Sequence, residues 1–93
     1  MSYRTYENMK TVADCQSQVR AVLRDHGRLK QDVSALGAED DLYQYGMTSH
    51  ASVNVMLALE GAFDVEFPDH MLKRSVFGSI ASIERALTEL TTA

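Results

Sequence analysis

The sequence predicts an all-α fold, a small four-helix bundle with three main helices, a short third helix and a long first loop. Three observations carry this. Apolar residues recur at helical spacing in separate segments, and no segment shows the period-two alternation of a half-buried strand. Glycine, proline and threonine also stand where helices would stop or start. No internal repeat or low-complexity stretch interrupts the pattern.

The first helix is expected from about Asn8 to His26. Met9, Val12, Val19, Val22 and Leu23 recur at helical spacing, with Gln16, Gln18, Arg20 and Arg24 on the other side and Gly27 as a stop. From Arg28 to Thr48 no period is sustained. Leu29, Val33, Leu36 and Leu42 are spaced as anchors that pin such a loop onto a helical core. A loop this long in a small domain is more often functional than idle.

The second helix is expected from Ser49 to Phe63, with Thr48 as its N-cap. Pro68 fits the first position of a short third helix, Asp69 to Lys73, which would put Lys73 and Arg74 at its favourable C-terminal end. The last helix should span about Ser79 to Leu90, with Ile80, Ile83, Leu87 and Leu90 on one stripe.

A chain of 93 residues with 45% hydrophobic content has room for one domain with a modest core. That domain is expected over residues 1–93, with flexible ends at about 1–6 and 91–93. The lone cysteine, Cys15, makes no intramolecular bridge and packs as a small apolar residue. The polar start lacks the apolar run of a secretory signal, and no window is long enough for a membrane span. A cytoplasmic monomer is the expectation. The 13 acidic and 9 basic side chains leave a formal net charge of -4, which argues against nucleic-acid binding.

Ser49 is the informative residue, because it places a hydroxyl where a Gly46-containing loop meets a long apolar helix. A helix start offers free backbone N–H groups and the positive end of the macrodipole, so it suits an attached phosphate. This points to a covalent carrier and not to a catalyst. Ala51 stands where a Gly-x-Ser-x-Gly elbow needs glycine, and the adjacent His50 projects a quarter turn away, so no catalytic residue is assigned. His26, His50 and His70 match no metal-ligand spacing and read as solvated histidines; no metal is expected. Met47, Met56 and Met71 read as core. The acidic run Glu39-Asp40-Asp41 reads as a solvated loop that orients the approach to the second helix.

The segment from Tyr45 to Asp69 resembles the acyl carrier protein and peptidyl carrier protein family. The likeness runs through Gly46, Ser49, Val53, Met56 to Glu60, Phe63-Asp64, Glu66 and Pro68-Asp69. Asp41-Leu42-Tyr43 and Phe77-Gly78-Ser79-Ile80 resemble the family's approach to its second helix and its lead into the last. The resemblance implies a four-helix carrier fold in which Ser49 is esterified by 4′-phosphopantetheine from coenzyme A. The terminal thiol of that arm then carries an acyl or aminoacyl group as a thioester. Two positions depart from the common Asp-Ser-Leu of acyl carriers: Thr48 replaces the aspartate and His50 the leucine.

On the second helix, Val55, Met56, Leu59 and Phe63 form one stripe, and His50, Asn54, Leu57 and Gly61 another. Periodicity alone does not say which is buried. The resemblance assigns the first to the core and the second, with Thr48, to partner docking. In familiar acyl carriers the docking stripe is acidic; here Glu60 is the sole acid between Ser49 and Phe63, so docking is expected to depend little on charge, with Leu57 as an apolar anchor.

The expected function is a freestanding carrier protein, not itself an enzyme, serving a specialised biosynthetic pathway. Its implied partners are a phosphopantetheinyl transferase, an acyl- or amino acid-activating ligase and a downstream transferase. Met47-Thr48-Ser49-His50 and the uncharged stripe further resemble small bacterial carriers charged by synthetase-like amino acid ligases. The rival reading is an unmodified carrier-like bundle acting only as a protein-interaction subunit.

Overall fold

The computed structural model describes residues 12–92. The expected helix start near Asn8, the anchor Met9 and the expected flexible end at 1–6 lie outside them. Helix α1 spans Val12–His26, α2 Ser49–Phe63, α3 Arg74–Phe77 and α4 Ile80–Thr92; no strand occurs among the described residues. Single 3-10 turns at Val33–Ala35, Leu42–Tyr45 and Asp69–Met71 punctuate the connections. Helix α1 packs against α2 and α4, and the short α3 packs against α4.

The core draws one stripe from each long helix. Val19 and Leu23 of α1, Ala51, Val55 and Leu59 of α2, and Ile80, Ile83 and Leu87 of α4 are buried together. Met56 and Phe63 lie at the margin of that core, half-buried, and Ala51 heads the buried stripe. Met47 and Met71 are buried, and Cys15 is half-buried against the same cluster. Phe67 and Phe77 meet edge to face, their ring centroids 5.2 Å apart, closing the side of the core between α2 and α3.

The long connection is fastened down as its anchors suggest, with Val33, Leu36 and Leu42 buried and Leu29 half-buried. Backbone bonds complete the attachment. Lys30 donates to the Tyr45 carbonyl at 2.8 Å, Leu42 to Gly78 at 2.7 Å, and Ala81 to Ala38 at 2.8 Å.

Arg20, on the polar side of α1, reaches the long connection. Its Nη1 donates to the carbonyls of Val33 at 2.7 Å and Leu36 at 2.9 Å. The side chain therefore holds the first 3-10 turn of the connection against α1. Gly27 follows the helix as expected, but the left-handed residue is Arg28, at φ 56°. Gly27 is required by close approach instead, since a Cβ there would lie 2.7 Å from the Leu23 carbonyl oxygen.

The third helix differs most from expectation. Instead of Asp69 to Lys73, the chain makes the 3-10 turn Asp69–Met71 and then the separate α3, Arg74–Phe77. Pro68 is the extended residue before the turn, at φ -71° and ψ 162°, and not its first position. Lys73 precedes α3 and Arg74 opens it, so neither serves a helix C-terminus. Arg74 lies instead over the Tyr43 ring, 3.9 Å from its centroid, a cation–π contact joining α3 to the long connection. Ser79 lies outside α4 as its cap. Its hydroxyl accepts the Ser82 N–H at 3.1 Å, and the Ser82 hydroxyl accepts the Ser79 N–H at 3.1 Å. The helix then continues to Thr92, past the expected end at Leu90 and into the segment expected to be flexible.

Candidate functional site

The approach to α2 is built by the Leu42–Tyr45 turn and a glycine. The Asp41 carboxylate accepts the Tyr43 N–H at 3.0 Å, so it caps this turn and not α2. Asp40 accepts the Gly37 N–H at 2.7 Å. These two acids are thus spent on the loop itself. Asp32, earlier in the connection, accepts the Ser34 N–H and hydroxyl, bonds that hold its carboxyl below the usual carboxylate range.

Gly46 ends the turn at φ 110°, a conformation that side chains other than glycine resist. A Cβ there would also lie 3.0 Å from Lys30 Cγ. Buried Met47 then anchors the chain directly before the helix. With Gly46 turning the backbone and Met47 held in the core, Thr48, Ser49 and His50 emerge exposed.

Thr48 is the N-cap, its hydroxyl accepting the Ala51 N–H at 3.0 Å. The Ser52 N–H is taken by the Thr48 carbonyl at 2.9 Å. The N–H groups of Ser49 and His50 have no acceptor among the described residues, and neither does the Ser49 hydroxyl. No acid occupies the first turn of α2. A solvent-facing hydroxyl beside open N–H groups, at the positive end of a helix of 15 residues, fits a phosphodiester. No base among the described residues holds the Ser49 oxygen in the geometry of an activated nucleophile.

The outward face of α2 collects the other singled-out residues. His50, Asn54, Leu57 and Gly61 are all exposed, and Val55 and Leu59 turn inward. Leu57 is 55% exposed. Val53, one turn before Leu57 and 50% exposed, adds to the same apolar surface. Its i−4 spacing from Leu57 is the signal that marks it in the sequence. Leu72, in the linker before α3, is also exposed; no periodic signal marks it, because it lies in no regular element. Glu60 does not join this face, since its carboxylate bonds the Phe67 backbone.

His26, His50 and His70 are exposed and separate, and no cluster of three or more potential ligands able to hold a metal occurs among the described residues. No helix among the described residues is long and apolar enough to cross a membrane.

Comparison with known proteins agrees with this geometry. The family model described as "Phosphopantetheine attachment site" matches residues 18–87. An aminoacyl carrier protein of Agrobacterium fabrum is 47% identical over 66 residues, covering 71% of this chain and 80% of that protein. Several solved structures are similar as well, among them these two. One is a carrier protein from Agrobacterium tumefaciens, crystallised with an engineered Bradyrhizobium japonicum glycine:[carrier protein] ligase and AMP. It has a TM-score of 0.77 and 42% identity, covering 78% of this chain and 97% of that one. The other is a solution structure from Agrobacterium tumefaciens with a TM-score of 0.67 and 40% identity, covering 83% of this chain and 93% of that one. An all-helical bundle whose second helix starts at an exposed serine, together with these matches, makes the chain a member of the phosphopantetheine-binding carrier protein family.

Proposed function

We propose that Ser49 is the attachment residue and that this protein carries an amino acid, loaded by an amino acid-activating ligase and passed to a downstream transferase. The observation that carries the reading is the exposed Ser49 hydroxyl, without a described partner, beside the open N–H groups of Ser49 and His50. Likeness to an aminoacyl carrier protein and to a carrier captured with a glycine ligase supports the choice of cargo class and loading partner. When bound, 4′-phosphopantetheine supplies the thiol that forms the thioester.

The chain's own residues do the positioning. Thr48 caps α2 and leaves two N–H groups for the phosphate; Gly46 and Met47 fix the direction in which Ser49 leaves the fold. Thr48, His50, Asn54, Leu57 and Gly61 form the partner-docking face, with Val53 beside them. The chain performs no catalysis; a phosphopantetheinyl transferase installs the arm and the ligase does the activation. The protein works as a cytoplasmic monomer.

Intact-mass measurement after co-expression with a broad-range phosphopantetheinyl transferase tests this. Wild type should gain the mass of one phosphopantetheine and Ser49→Ala none. Unmodified wild type with several transferases tried would favour the reading in which the bundle acts only as an interaction subunit.

A further inference from the structure

A groove of about 680 Å³ lies between the segment 70–76 and α4, apart from the site described above. Met71 and Ala86 are buried in its floor, and Val76 is half-buried beside them. No residue of α2 lines it, so it is separate from Ser49 and from the face that carries Leu57. Hydrogen bonds hold both walls. The Lys73 N–H donates to the Met71 carbonyl at 2.9 Å, and the Val76 N–H to the Lys73 carbonyl at 3.0 Å. From α4, the Ser82 hydroxyl donates to the Val76 carbonyl at 2.8 Å. The groove is thus preformed, and an occupant need not order it on binding.

Its rim is cationic on a protein whose formal net charge is -4. Lys73 stands on one wall and Arg85 on the other, both exposed, and His70 joins the lining. Other cations of the fold are engaged: Arg20 on two carbonyls, Arg24 with Asp25, and Arg74 over the Tyr43 ring. The side chains of Lys73 and Arg85 have no such partner among the described residues. Glu89 is the acid of the lining, and it makes no ion pair with Arg85, four residues earlier on α4. The stripe His50, Asn54, Leu57 and Gly61 differs in kind, since it holds no acid, lysine or arginine.

We infer that this groove docks an acidic protein segment, which seats an apolar side chain on the floor of Met71, Val76 and Ala86 and sets carboxylates against Lys73 and Arg85. Charge selects the occupant. Two unpaired cations facing each other across an apolar floor attract carboxylates and repel a basic segment. A nucleic acid is disfavoured, because the 13 acidic side chains of the chain outnumber its 9 basic ones. A small molecule is disfavoured as well: the groove is open to solvent, whereas small-molecule sites bury most of their ligand's surface. Because the groove shares no residue with the α2 face, its occupant is a different segment from the one that covers Leu57. The inference does not require Ser49 to be modified.

The test titrates the unmodified full chain with a soluble peptide of alternating glutamate and leucine, followed by backbone amide NMR shifts. Shifts should cluster in residues 70–76 and 82–89, and raised salt should weaken binding about tenfold. Arg85→Glu should weaken it about tenfold, Lys73→Glu comparably and Arg85→Gln less. Arg28→Glu makes the same charge change at an exposed residue outside the groove and should bind like wild type. All four positions of substitution are exposed, so the melting temperatures should stay close to wild type. The same peptide with glutamine in place of glutamate should not bind. Absence of shifts, shifts centred on α2, equal binding of the glutamine peptide, or equal effects of Arg28→Glu and Arg85→Glu would each overturn the inference. The carrier reading stands or falls separately, on the intact mass of the co-expressed protein.

Discussion

The Glu60 carboxylate accepts the backbone N–H of Phe67 at 2.9 Å, across the turn that follows α2. The single acid of α2 is thereby committed to the fold. It holds the chain where Phe67 enters the core against Phe77, with their rings 5.2 Å apart. The outer face of the helix is left without negative charge, although the helix contains a glutamate.

Removing this acceptor should therefore cost stability without affecting partners. Glu60→Ala leaves the partly buried Phe67 N–H unsatisfied and should lower unfolding free energy by about 1–3 kcal/mol. Glu60→Gln keeps an acceptor and should lose less. Denaturant unfolding measures both, and KM for ligase loading should stay at the wild-type value in each folded variant.

Arg20 should be a stabilising residue despite its place on the polar side of α1. In Arg20→Met the aliphatic stem is kept and the donors to the Val33 and Leu36 carbonyls are lost. Stability should fall by about 1.5–3 kcal/mol. Amide exchange around residues 33–36 should accelerate more than exchange in α2. Uniform acceleration would show that the clamp is not local.

At Thr48 the cap and the chemistry can be separated. Thr48→Ala should cost about 1 kcal/mol, or roughly 4–8 °C in melting temperature for a domain of this size. Thr48→Asp retains a capping oxygen and adds a charge that the helix start favours, so it should match or exceed wild-type stability. Thermal melts of the unmodified proteins decide the matter, and Thr48→Asp melting as low as Thr48→Ala would remove the capping account.

Docking on the uncharged face has its own signature. Leu57→Asp should leave the melting temperature nearly unchanged, since the side chain is 55% exposed. It should nonetheless reduce loading by the amino acid-activating ligase about tenfold or more. Added salt should do comparatively little to the wild-type rate, because salt screens exposed charge pairs that this face lacks. Strong salt inhibition with an unaffected Leu57→Asp variant would count against the apolar anchor.

Much of the bundle and its candidate site is legible in order of residues. The expected α2, Ser49 to Phe63, matches the structure at both ends, because a threonine cap and a left-handed Asp64 bound it. The spaced apolar anchors Val33, Leu36 and Leu42 likewise announced a loop held on the core. The third helix was misplaced because Asp69 to Lys73 is too short for periodicity to separate a 3-10 turn from an α-helix. The role of Arg20 was not legible, since its partners are main-chain carbonyls, which every residue possesses and no side-chain pattern marks.

By itself the sequence determined the helical class, the position of Ser49 at the opening of the second helix and the separation of that helix into two stripes, because these depend on local spacing and capping. Only the tertiary structure decided what Glu60, Arg20 and Arg74 hold and which exposed residues lie side by side. Those facts depend on where distant segments come to rest, and a hydrogen bond between them exists only after packing has brought them together.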